Sequence, residues 1–181
     1  MRNPDKLGDL AGRVDVVRAA LNDAEALSSS LVGIDAVASC VGPAKNDPAM
    51  PALFRAYMQA LTEAMRARSV KRVVAIAGTS SALPGARWPW YRRAFAGALK
   101  LAAGHMLAAH QAQIDVLRES SVEWVVARCP DMTSKPPRGG VIALEDTYPG
   151  FRVTRADLAA FLLDQLSDDT WLRRAPIVAS P

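Results

Sequence analysis

The stretch from Val70 to Ser81, Val-Lys-Arg-Val-Val-Ala-Ile-Ala-Gly-Thr-Ser-Ser, constrains the fold more than any other part of the chain. Val73 to Ala77 is an unbroken apolar run with no period-2 alternation. That is the pattern of a strand covered on both faces, as in a parallel sheet between helices. Lys71 and Arg72 read as its solvated start. Gly78, Thr79, Ser80 and Ser81 read as its exit, where small residues let a ligand approach backbone and hydroxyls together. Ligands of open α/β sheets bind outside the carboxyl ends of the strands, so a site is expected above Ala77 to Ser81.

The remaining segments supply the partners of that strand. Val14–Val17 is a short run rich in β-branched residues and reads as a strand. Asn22 reads as a helix N-cap, with Asp23 and Glu25 in the first turn and Gly33 as the stop after Val32. Ile34 to Gly42 is a second buried strand. Asp47 and Pro48 open a longer helix with Leu53, Tyr57, Leu61 and Met65 on one face, widened by Phe54 and Met58 and ending near Ser69. Another helical region, with breaks at Gly97 and Gly104, ends at Ile114–Glu119. Val122 to Cys129 is a strand stopped by Pro130, and Gly140–Leu144 a further short one. Thr154 to Asp157 is a capping-box-like start for a helix with Leu158, Phe161, Leu162 and Leu166 on its core face. Ala175–Ala179 is a terminal strand whose proline favours an edge or a strand start. Strands and helices alternate almost throughout, which makes the class α/β with a mainly parallel sheet. No repeat or linker divides residues 1–181, which are read as one domain.

A net charge of +4 permits anionic partners without selecting among them. The polar start, Met1 to Lys6, is unlike a signal peptide. The longest apolar run, Ala94 to Ala109, is interrupted by Lys100 and His105 and too short to span a bilayer. A cytoplasmic protein is expected. Cys40 and Cys129 show no metal-ligand spacing and read as reduced packing residues, so no metal is expected. Arg87 to Arg93, Arg-Trp-Pro-Trp-Tyr-Arg-Arg, interleaves cations with aromatics. It suits a lid over a flat substrate, a loop packed on the next helix, or contact with nucleic acid or a membrane surface. One short cluster is a weak footprint for the last, so the expected partner is a small molecule.

Four segments carry a family resemblance: Arg2–Leu7, Asp35–Gly42, Val116–Pro130 with its Arg-Cys-Pro ending, and Val153–Leu163 with its Thr-Arg-Ala-Asp start. In this order, over nearly the whole chain, they resemble the atypical short-chain dehydrogenase/reductases with an NAD(P)H-binding Rossmann fold. This is the NmrA-like group that includes flavin reductase/biliverdin reductase B. The resemblance implies a Rossmann-like three-layer α/β/α domain with sheet order 3-2-1-4-5-6, and NADP, or NAD, as cofactor. It also implies a domain lacking the family's first strand, Gly-rich turn and first helix, since no segment here matches them. Without those strands Val14–Val17 either moves beside Ile34–Val41 or leaves an exposed edge that invites self-association.

The resemblance also implies site residues. Arg2 stands where the family contacts the 2′-phosphate of NADP. Leu21 packs on the adenine ring, although Ala20 stands in place of the family's acidic residue. Val41, Gly42 and Pro43 pass close to the cofactor, and Cys129 and Pro130 end the strand beside it. Ala77 and Gly78 lie beside the nicotinamide, with the hydroxyls of Thr79 and Ser80 toward the hydride acceptor, or else merely capping a turn. The family's Tyr-x-x-x-Lys pair is absent, with Met106 and His110 in its places, and Asp131 stands where the flavin reductases have histidine. His110 either touches the ribose or is a polar surface residue, and His105 is assigned no role. With no tyrosine acid, an acceptor that needs little protonation help, such as a flavin or quinone, fits a reductase best. A non-catalytic NAD(P)H-binding or redox-sensing protein, or a chain that binds no dinucleotide, fits the same absences.

Overall fold

The computed structural model describes residues 4–81, 90–145 and 147–181. After a 3-10 helix over Pro4–Arg13 come α1 (Ala24–Ser30), β1 (Ala36–Ser39), α2 (Met50–Ala67), β2 (Arg72–Gly78) and α3 (Trp90–Glu119). Then follow β3 (Glu123–Cys129), β4 (Asp131–Thr133), β5 (Ile142–Leu144), β6 (Arg152–Thr154), α4 (Arg155–Asp164) and β7 (Ile177–Ala179). Five strands form one sheet in the order β1-β2-β3-β7-β5, parallel except for β5, and β4 and β6 pair separately.

The apolar run of β2 is buried on both faces, as its lack of alternation requires. Val73, Ala75 and Ala77 enter a core shared with Tyr57, Met58, Leu61 and Met65 of α2 and Ile114 and Leu117 of α3. Val74 and Ile76 enter a second core with Leu158, Phe161 and Leu162 of α4. The sheet is therefore the middle of three layers, with α1, α2 and α3 on one face and α4 on the other. This bears out the expected layering and the core faces of α2 and α4.

Several expectations need correction. Val14–Val17 forms no strand, and Val14, Val16 and Val17 stand exposed. A β-branched run becomes a strand only where another strand takes its ladder bonds, and neither end of this sheet does so. Arg72 is buried, not solvated. Its guanidinium donates to Glu123 Oε2 at 3.1 Å, Asp169 Oδ1 at 2.5 Å and the carbonyls of Gln165 and Asp168, tying the start of β2 to the segment after α4. The terminal strand is interior, between β3 and β5, so of the two places expected for its proline the strand start is the one taken: Pro176 precedes the first residue and costs the ladder no donor. The cap of α1 is Asp23, whose carboxylate accepts from Ala26 N, so Asn22 lies one residue outside. Cys40 is exposed, and only Cys129 packs in a core.

Asp157 ties the far side together. Thr154 caps α4 as expected, but Asp157 does more than complete a capping box. Its carboxylate accepts from Arg138 N, Gly140 N, Thr154 Oγ1 and Ser180 Oγ, the last at 2.7 Å. Those bonds, led by the Ser180 hydroxyl, hold its carboxyl well below the usual carboxylate range.

Candidate functional site at the carboxyl ends of the parallel strands

The ends of β1, β2 and β3 line up because parallel pairing sets them in register, with Gly78 opposite Cys129. Val41 leaves β1 half-buried against the first core, Gly42 is exposed and Pro43 is buried. His110 of α3 reaches up beneath both exits. A Cβ at Gly42 would lie 3.9 Å from the imidazole Cε1, and one at Gly78 would lie 3.4 Å from Cδ2. The two glycines therefore leave their strand ends bare, over a histidine ring that fills the space below. Phe54 of α2 meets that ring edge-on, with centroids 6.4 Å apart.

His110 is half-buried on α3 and uncharged at neutral pH. Burial pushes its pKa down to about 4, and its Nδ1 has no hydrogen-bond partner. At neutral pH it presents an uncharged ring, so it holds no proton to give as an imidazolium. One turn further along α3, Gln113 donates to the Ile76 carbonyl at 2.5 Å, anchoring α3 under β2. Thr79 and Ser80 are half-buried on the turn after β2, which the Ser81 N–H closes onto the Gly78 carbonyl at 3.1 Å. Cys129 faces the second core, and burial raises its thiol to about 12, which rules it out as a nucleophile at neutral pH.

Two supports were missed in the sequence reading. Asn46, in the loop after β1, donates to Ala102 O at 3.1 Å and accepts from His105 N at 2.9 Å and Met106 N at 3.2 Å. Those amides are freed by a break in α3 at Ala103 (φ −139°, ψ 31°), next to one of the two glycines expected to interrupt it. The asparagine thus stitches the break and fixes the half of α3 that carries His110. Arg128 is buried within β3 and donates to the carbonyls of Ser81 at 2.9 Å, Ala175 at 2.5 Å and Glu145. It clamps the end of the Gly78–Ser81 turn to the sheet. A lone cation inside the run Val125 to Cys129 was the available signal, because a buried charge must find acceptors.

Of the cofactor residues expected from sequence, the structure brings Val41, Gly42, Pro43, Ala77, Gly78, His110, Cys129 and Pro130 to one end of the sheet. Leu21 is half-buried and packs against the first core, as Val41 does. Arg2 and Arg87–Pro89 lie outside the described residues. A diphosphate does not fit the starts of α1 and α2: Asp23 takes the Ala26 amide and Asp47 the Ala49 amide at 2.8 Å, so an anion would meet carboxylates there. Among the described residues no His, Cys, Asp and Glu cluster could hold a metal, and no helix is long and apolar enough to cross a membrane.

The sequence profile of the NAD(P)H-binding family matches residues 1–169. No curated protein sequence matches the chain. Among solved structures it is similar to a short-chain dehydrogenase/reductase from Veillonella parvula DSM 2008 in complex with NADP. That match has 17% identity and a TM-score of 0.74, over 99% of this chain and 77% of that one. The anaerobilin reductase ChuY of Escherichia coli O157:H7 gives 17% identity and a TM-score of 0.76, over 99% and 82%. A protein of Streptococcus pneumoniae TIGR4 described as an NADH-flavin reductase gives 17% and 0.68, over 93% and 81%. At such identities these likenesses establish the Rossmann-like fold.

Proposed function

The chain belongs to the NAD(P)H-binding family, and we propose that it serves as an NAD(P)H-dependent oxidoreductase passing hydride to a flat acceptor such as a flavin or quinone. The observation that carries this reading is the convergence of Gly42, Gly78 and His110 at the carboxyl ends of β1 and β2. NADP, or NAD, supplies hydride chemistry when bound. Val41, Gly42, Pro43, Ala77 and Gly78 hold its nicotinamide end. Bare glycine backbone admits a planar ring, and the uncharged His110 below keeps that ring's surroundings free of a competing cation. Thr79 and Ser80 offer hydroxyls to the acceptor, orienting a carbonyl or ring nitrogen. Arg128 and Asn46 keep the turn and the histidine in place.

A second reading has its own support. An imidazole with a pKa near 4 and no tyrosine at Met106 leaves no evident proton donor, which suits a non-catalytic NAD(P)H-binding or redox-sensing protein. NADPH titration by fluorescence, followed by NADPH oxidation assays with FMN and quinones, separates the two. The reductase reading expects turnover that falls about tenfold in Ser80→Ala. Tight binding without turnover on any acceptor supports the sensor, and absence of binding overturns both.

A further inference from the structure

Phe151 stands 81% exposed. Of the aromatic side chains described it alone is exposed, Tyr148 and Trp171 being half-buried and the rest buried. A single exposed apolar residue is ordinary, but this one belongs to a surface. Its ring stacks on that of Tyr148, with centroids 6.2 Å apart and planes at 22°. The backbone on both sides of Phe151 is pinned to the carboxyl end of β7. Gly150 lies so close to that strand that a Cβ on it would meet the Ala179 Cβ at 3.1 Å, and the Ser180 N–H donates to the Arg152 carbonyl at 3.0 Å. Between those two anchors the phenyl ring stays outside, with the face turned away from Tyr148 open to solvent. The charges beside it, Arg152 and Asp131, pair with each other at 3.7 Å.

Strand register places this pair relative to the candidate site. Gly78 lies opposite Cys129, and Asp131 opposite Arg152, in two parallel ladders joined by Pro130. Phe151, directly before Arg152, therefore stands two strand spacings, about 10 Å, from the Gly78 exit and at the same end of the sheet. A single six-membered ring beside Gly78 cannot span that gap, whereas a fused three-ring system can. We infer that Tyr148 and Phe151 form an aromatic platform for the far end of the hydride acceptor, which is thus an extended, planar, uncharged ring system rather than a small quinone. The paired Arg152 and Asp131 bring no net charge to the platform, and an open ring face takes a second ring in the offset stack that aromatic systems prefer. The platform rests on the proposed hydride transfer for the role of its ligand, and on the strand register for its place.

Riboflavin, a three-ring probe without a phosphate, tests this by fluorescence anisotropy on the full chain, with and without NADP. Phe151→Ala is expected to weaken riboflavin binding about tenfold and Phe151→Trp to restore it, while NADPH affinity is unchanged in both. The side chain is exposed, so neither substitution endangers the fold. Leu101→Ala, at a leucine 91% exposed on α3, should leave riboflavin binding as it is. In turnover, Phe151→Ala should raise KM for riboflavin and not for p-benzoquinone, whose one ring does not reach the platform. Absence of riboflavin binding under both conditions would overturn the proposal, and so would a Phe151→Ala variant that binds riboflavin like the wild type. If NADPH fails to bind while riboflavin still depends on Phe151, the hydride-transfer function falls and the platform stands.

Discussion

Between pH 7 and pH 5 the protein should lose about 2 kcal/mol of stability through one residue, His110. In the unfolded chain this imidazole takes a proton near pH 6.5, and in the native state only near pH 4, because burial between β2, α2 and α3 penalises the cation. The unfolded state therefore binds more protons throughout that window. Stability is fully present above pH 6.5, falls as the pH drops through the window, and is lower by about 3 kcal/mol once both states are protonated. Asp157 titrates below the ordinary carboxylate range and does not contribute between pH 7 and pH 5. Urea melts at pH 7, 6 and 5 measure the loss, and His110→Gln should flatten the pH dependence over that range. By proton NMR, one of the chain's two histidine signals should titrate with a midpoint near 4 and vanish in the variant. A midpoint between 6 and 7, or the same pH slope in His110→Gln, would refute the buried, neutral histidine on which the site depends.

Other substitutions test the supports. Arg128→Met strands the carbonyls of Ser81, Ala175 and Glu145 and should cost about 3–5 kcal/mol in chemical denaturation. A change within 1 kcal/mol would mean that the clamp is not a clamp. Asn46→Ala frees the His105 and Met106 amides, so their hydrogen exchange should accelerate while global stability falls by only about 1 kcal/mol. Asp157→Asn removes the charge that four donors share and should lower the melting temperature at neutral pH. The wild-type contribution of Asp157 is present above the ordinary carboxylate range and is lost as pH falls below it, so the two proteins should converge in acid.

The sequence made visible what depends on local pattern. The even apolar run of β2, the i+4 face of α2 and the Thr154 start of α4 all appear as read, because each is set by side chains within a few residues. Long-range contacts escaped it. Arg72 read as solvated because nothing nearby in sequence announces Asp169 or Gln165, about a hundred residues later. Val14–Val17 had the composition of a strand, yet strand formation is decided by an edge elsewhere in the fold. In the candidate site the glycines were readable as strand exits, whereas their convergence on His110 required the path of α3. Asn46, which steadies that path, lies in a loop with no pattern of its own.

The central claim is that the bare strand ends above His110 receive the nicotinamide. Titrating NADPH into the isotopically labelled full chain and following the amides of Gly42, Gly78, Thr79 and Ser80 with the His110 ring tests it most directly. Saturable shifts are expected at those five residues. Saturable binding that leaves them unmoved would contradict it.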